Sequence, residues 1–188
     1  MRPLTESESR AVFNKLQTYI GDNVRLLLDR PDGSYCLRMH RNRVFYINED
    51  LMKRALHIDR KHLLSVGTCL GRFTKNTNSF RIHVTSLHIM APYAKHKVWL
   101  REQAAQRFLY GQNGFKSGLA RITEDTPRMA GVIVYSQTQS GGNVSDIPIG
   151  FGLAARASSE CRQADPGSIV VLRQADVGEF LRHEQNII

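Results

Sequence analysis

The chain has 188 residues, 41% of them hydrophobic, with 26 Lys and Arg against 17 Asp and Glu for a formal net charge of +9. That length has room for one large or two small domains with cores of their own, and no apolar run approaches the ~20 residues that cross a bilayer, so no membrane partner is expected. Cys36, Cys69 and Cys161 are odd in number and lack CxxC spacing, which argues against a disulfide framework and, with no leader-like run after Met1, for a reducing compartment inside the cell.

Thr5-Glu6-Ser7-Glu8 has the form of a capping box and predicts a helix with Val12, Phe13, Leu16, Tyr19 and Ile20 on its apolar face and Gly21 as its stop. Val24 to Leu28 and Tyr35 to Met39 read as strands joined through the turn chemistry of Asp29-Arg30-Pro31-Asp32-Gly33, and Arg43 to Ile47 as a third. A short helix over about Glu49 to His57 follows. Leu63 to Val66 and Thr68 to Thr74 are expected to continue the sheet around Gly67 and Gly71. Phe80, Ile82 and Val84 alternate with Arg81, His83 and Thr85, the pattern of a half-buried strand with a basic outer face. Ala91-Pro92-Tyr93-Ala94 breaks that pattern and divides the chain into residues 1–92 and 93–188.

Beyond the break, Val98 to Leu100 reads as a strand, and Ala104, Ala105, Phe108 and Leu109 form the stripe of a short helix ended by Gly111. Lys116-Ser117-Gly118 opens a short amphipathic segment with Leu119 and Ile122 on one side. Val132 to Tyr135 and Ile169 to Leu172 have the β-branched composition of buried strands. Gln137 to Asn143 reads as a flexible loop, Gly150-Phe151-Gly152 as a bulge or close backbone approach, and Val177, Phe180 and Leu181 as a closing helical turn. The fold class is α+β: an N-terminal α/β domain with an antiparallel sheet, then a small β pseudo-barrel.

The charge is uneven. Residues 1–92 hold 15 Lys and Arg against 8 Asp and Glu, and residues 93–188 hold 11 against 9. A basic balance suits a polyanion, whose condensed counterions are released on contact. Arg38, Arg41 and Arg43, with His40, make a basic hairpin region beside Phe45 and Tyr46, a composition that fits single-stranded RNA, though aromatics in a strand are more often core. The seven histidines form no metal-ligand spacing, so no metal is expected. The glycine clusters lack a dinucleotide or P-loop fingerprint, so no cofactor is expected. Residues 1–92 are small for a catalytic domain and carry no recognisable active-site motif, so an enzyme is not expected.

The last third, with KSGLARI, VIVYS, PIGFGLAA and IVVLRQADVGEFLRHE in succession, resembles the PUA domain, an RNA-binding module. The whole chain, through MRPLTE, DRPDGSYCLR, VGTCLGRFTK, FRIHVTSL, APYAKHKVWL, FLYG, KSGLARITE and DIPIGFGLAA, resembles the nuclear import protein seven family of eukaryotic ribosome-biogenesis factors. Gln137 to Val144 departs from the family as an apparent insertion. The resemblance implies a family-specific α/β domain followed by a PUA domain. It also implies a non-enzymatic factor of large ribosomal subunit biogenesis and pre-rRNA processing, acting in the nucleolus with pre-rRNA and other biogenesis factors, and a monomer outside the pre-ribosomal particle. In that frame Lys116, Ser117 and Gly118 would offer an ammonium and backbone N–H groups to phosphates, and Arg121 would share their surface. Arg156, Arg173 and Arg182 would fall where PUA domains carry RNA. Each also reads as an ordinary solvated charge. The alternative is an adapter that docks on another biogenesis factor with little RNA affinity of its own.

Overall fold

The computed structural model describes residues 1–59, 61–63, 65–74, 79–140 and 143–187, with the backbone alone for 138–140, 143–145 and 184–187. A two-residue strand β1 (Arg2–Pro3) leads into helix α1 (Glu6–Ile20). The capping box forms as expected: Glu8 N–H donates to Thr5 Oγ1 at 3.3 Å and Thr5 N–H to Glu8 Oε2 at 2.8 Å. After Gly21, at φ +59, a single 3-10 turn runs directly into α2 (Val24–Leu28). This corrects the expected strand there. The run Val-Arg-Leu-Leu-Leu is ambiguous by pattern, and its leucines are good helix formers.

The first sheet follows with β2 (Asp29–Arg30), β3 (Gly33–His40), β4 (Arg43–Asn48), α3 (Glu49–Ala55), β5 (Thr68–Phe73), β6 (Phe80–Ile82) and α4 (Leu87–Met90). Its order is β1-β3-β4-β5-β6, with β2 paired to β3, and every pairing is antiparallel. Leu63, Ser65 and Val66 belong to no strand, against expectation, while Leu64 lies outside the described residues. Gly67 ends any extended run: it sits at φ +78, and a Cβ there would meet Tyr46 O at 2.4 Å. Val84 and Thr85 also leave the sheet, because Ser86 hydrogen-bonds back to His83 O through both its N–H and its hydroxyl and closes a 3-10 turn.

The second half contains β7 (Lys97–Arg101), α5 (Glu102–Leu109), β8 (Gly114–Phe115), a 3-10 turn (Lys116–Gly118), β9 (Leu119–Ile122), β10 (Gly131–Ser140), β11 (Asn143–Ala154), α6 (Ser158–Gln163), β12 (Ile169–Asp176) and α7 (Val177–Ile187), the last broken at His183. The strand order β8-β12-β11-β10-β7-β9 curls into a nearly closed, barrel-like sheet with one parallel pairing, β7 to β10. The expected loop from Gln137 is mostly ladder instead: β10 and β11 stay paired out to Ser140 and Asn143, and Gly141 and Gly142 lie outside the described residues. The bulge falls where Gly150-Phe151-Gly152 predicts it, between Phe151 and Gly152.

Two cores result. Val98, Leu100, Phe108, Val132, Val134 and Val171 fill the barrel. The larger core joins both halves: α1 contributes Val12, Leu16, Tyr19 and Ile20, the first sheet Met39, Val44, Leu70 and Phe73, and the barrel's outer side Ile133, Tyr135, Phe151 and Ala175. Tyr19 meets Phe151 edge-on at 5.2 Å between ring centroids. Lys95 N–H donates to Tyr19 O at 3.0 Å, and Tyr135 donates its hydroxyl to Ala91 O at 3.0 Å. Gly131 lets the barrel touch α1, since a Cβ there would lie 2.6 Å from Thr18 O.

Candidate nucleic-acid interface

The Lys116 turn is built differently from what its sequence promises. Lys116 N–H donates to Ser168 O at 2.8 Å and Ser117 N–H to Pro166 O at 2.9 Å, so neither amide is left for a phosphate. Gly118 is a packing glycine: a Cβ there would lie 2.2 Å from the Cβ of Ala104 on α5. The Lys116 side chain lies in a cleft of about 560 Å³ with Leu119, Ser158, Cys161 and Arg162, and with the carboxylates of Glu124 and Asp125. Arg156 reaches the same neighbourhood, its charge acting with that of Lys116 on Cys161, whose thiol is pushed up by burial first of all.

Arg121 does not join them. In β9, Leu119 and Ile122 turn toward the barrel core, whereas Arg121 pairs with Trp99 and lays its guanidinium 4.9 Å from that ring's centroid. Trp99 is further fixed by donating Nε1–H to Asp146 at 2.8 Å and by stacking on Tyr135. A strand therefore separates the two cations that the sequence spaces five apart.

Arg173 and Arg182 are committed to a carboxylate. Asp176 is fully buried, and Arg173 Nη1 bonds its Oδ2 while Arg182 Nη2 lies 3.3 Å from its Oδ1. Asp176 also caps α7, accepting the N–H of Glu179 at 2.8 Å, and Arg182 donates to Leu109 O as well. A buried carboxylate needs such compensation. The two arginines thus tie the end of β12 to α5 and α7.

In the N-terminal half, Arg38 lies partly buried on β3, and its Nε has no hydrogen-bond partner among the described residues. Arg41 sits at the exposed tip of the β3–β4 hairpin. Arg41 and Arg43 line a cleft of about 730 Å³ with His40, Thr68, His88 and Phe180 of α7. Sequence reasoning put Arg81 on a basic outer face without counting it as a contact residue and passed over Arg72; both are exposed on the neighbouring strands. Their signal was present as the alternation of each with buried Phe73 and Phe80. Tyr46 is core: it stacks on Tyr35 at 4.6 Å and bonds Leu27 O. Phe45 is also buried, so neither ring is open to a base.

Residues 1–84 match the family described as NIP7/UPF0113, pre-PUA domain, and residues 96–185 match the UPF0113 PUA domain. The chain is 54% identical over 187 residues to the 60S ribosome subunit biogenesis protein NIP7 homolog of Xenopus tropicalis and to that of Pongo abelii, covering 100% of this chain and 99% of each relative. Among solved structures, a PUA-domain protein from Aeropyrum pernix K1 superposes with a TM-score of 0.56 at 14% identity, over 96% of this chain and 87% of that one, and so shares the fold. With both domain types matched in order and the relatives matched end to end, the chain belongs to the NIP7 family of pre-PUA and PUA proteins.

Proposed function

We propose that this protein is a non-enzymatic, RNA-binding assembly factor of large ribosomal subunit biogenesis and pre-rRNA processing. It acts in the nucleolus on pre-rRNA together with other large-subunit biogenesis factors, is a monomer outside the particle, and has residues 1–92 and 93–188 as its two working parts. The observation that carries this reading is end-to-end similarity to proteins named for 60S subunit biogenesis, with neither domain missing. The net charge of +9 supports RNA as the direct ligand. Lys116 and Arg156 remain the cations of the barrel that point to it, and Arg38, Arg41 and Arg43 those of the first sheet.

Titration of the full chain with a labelled single-stranded RNA at several salt concentrations tests it. About four phosphate contacts give a log–log slope of roughly −3. A flat slope, or no binding at low salt, removes the direct RNA role. The adapter reading has its own support in exposed apolar side chains near the end of α5 and on α7: Tyr110 is 83% and Leu181 79% exposed, with Val177 nearby in sequence. Wild-type affinity for RNA that is negligible beside capture of a purified biogenesis factor favours that second reading.

A further inference from the structure

The outer face of the first sheet carries an arrangement that charge alone disfavours. Arg43 on β4 stands directly opposite Arg72 on β5, and Arg72 directly opposite Arg81 on β6. Their strand neighbours Val44, Phe73 and Phe80 fill the core against α1, so the three arginines share the opposite face. Like charges placed directly across a sheet destabilise it. Neither Arg72 nor Arg81 has a carboxylate partner among the described residues, and both are exposed. With adjacent strands about 4.8 Å apart, the row extends roughly 10 Å.

The hairpin tip beside the row is strained. Arg41 sits at φ +47 and Asn42 at φ +63, a left-handed pair that usually calls for Asn or Gly. Asn42 O accepts Phe73 N–H at 2.8 Å, which draws the tip onto β5 next to Arg72. Strain of this kind gathers at functional sites. Arg41 and Arg43 line one cleft, and a second of about 460 Å³ is lined by Arg72, Arg81, His83, Gln174 and His183, so that the paired Arg43 and Arg72 line one cleft each. Glu179 is the one carboxylate among these described lining residues, and it lies 3.4 Å from Arg173. His83 is held down to about 4, by burial first and then by Arg72 and Arg43, so it registers the positive field without adding to it at neutral pH.

We infer that this arginine row is a phosphate track, along which a single-stranded RNA backbone lies in the trough between the outer face of the first sheet and α7. The inference rests on the RNA-binding reading above and extends its first-sheet contacts at Arg41 and Arg43 across β5 and β6, on the other half of the chain from Lys116. Guanidinium groups grip phosphates through paired hydrogen bonds. A row of two exposed arginines and a third half-buried one suits a phosphate backbone better than a protein patch, whose centre is apolar.

The test is fluorescence anisotropy of a labelled 20-nucleotide oligouridylate with the full chain between 50 and 200 mM KCl. Arg72→Gln/Arg81→Gln should bind roughly tenfold or more weakly at 0.1 M, and its salt slope should be shallower by about 1.4, at ~0.7 per phosphate. Its melting temperature should hold or rise, because repulsion across the row is relieved. Arg72→Lys/Arg81→Lys should keep most of the slope. If the glutamine pair fails to fold, Arg81→Gln alone, on the edge strand, decides the matter through a slope change of about 0.7. Unchanged binding by the glutamine variants while the wild type binds overturns the track and leaves the RNA reading standing. No binding by the wild type overturns both. Poly-L-glutamate bound as tightly as the oligouridylate at equal salt, and lost in the same variants, assigns the row to an acidic protein and overturns the RNA track.

Discussion

Replacing Asp176 should expose how much of the barrel's terminal packing rests on one carboxylate. In Asp176→Ala the helix cap on Glu179 N–H disappears, worth about 1 kcal/mol, and Arg173 and Arg182 lose their shared anion. Breaking a buried pair costs about 3–5 kcal/mol when the stranded charge stays buried. Here the arginine side chains are 26% and 39% exposed and turn partly to water, which brings that part down to about 2 kcal/mol. The total of about 3 kcal/mol corresponds to a fall of roughly 6–12 °C in Tm for a protein of this size. Asp176→Asn keeps an oxygen for the cap and loses only the ion, so it should cost about 1–2 kcal/mol. Urea unfolding followed by circular dichroism measures both, with the slope in denaturant expected to stay constant. A loss below about 1 kcal/mol for the alanine variant, or equal losses for the two variants, would refute the assignment of the arginines to this carboxylate.

The remaining predictions concern local chemistry. Glu8 is held down to about 2 from an ordinary value of 4.5, chiefly by its hydrogen bonds from Arg2. Because the folded value is depressed, its contribution is fully present above about pH 4.5 and is lost as pH falls through about 2. The gap in stability between wild type and Glu8→Gln, about 1 kcal/mol at pH 7 for a pair whose arginine is half exposed, should therefore close by pH 2 in urea titrations. Gly118→Ala should cost about 1–3 kcal/mol by forcing the Lys116 turn off α5. Adding Ala104→Gly should recover part of that loss, and a thermal-melt double-mutant cycle with no coupling would place the clash elsewhere.

What was legible in the sequence was what the chain decides locally. The capping box of α1, the β3–β4 hairpin and the bulge at Phe151 depend on residues a few positions apart, and all three are found where the pattern put them. Val24 to Leu28 was not, because an apolar run with little alternation fits a strand and a buried helix equally well. The site was harder to read, since it depends on partners. Arg173 and Arg182 resemble free cations until Asp176 is seen to be buried between them, although Asp176 and Glu179 at cap spacing were a usable hint. The spacing of Lys116 and Arg121 suggested one surface, and a strand whose faces alternate divides them. The row of Arg43, Arg72 and Arg81 exists only once the register of three strands is known, so no single window of sequence contains it.

The way α1 meets the barrel has a consequence for reach. Tyr19, Phe151 and the close approach at Gly131 join the two halves by a shared interior. The cations around Lys116 and those on the first sheet are thereby held apart at one separation and one angle, as on a set square. A ligand long enough to touch both gains the second contact without the entropy of a searching linker, whereas a ligand of the wrong curvature gains nothing from it. If the ligand is the RNA proposed above, discrimination of this kind would be by the bend of the strand, with no base read at all. A substitution deep in the junction, far from any phosphate, would then change which RNA shapes are held while leaving every contact residue in place.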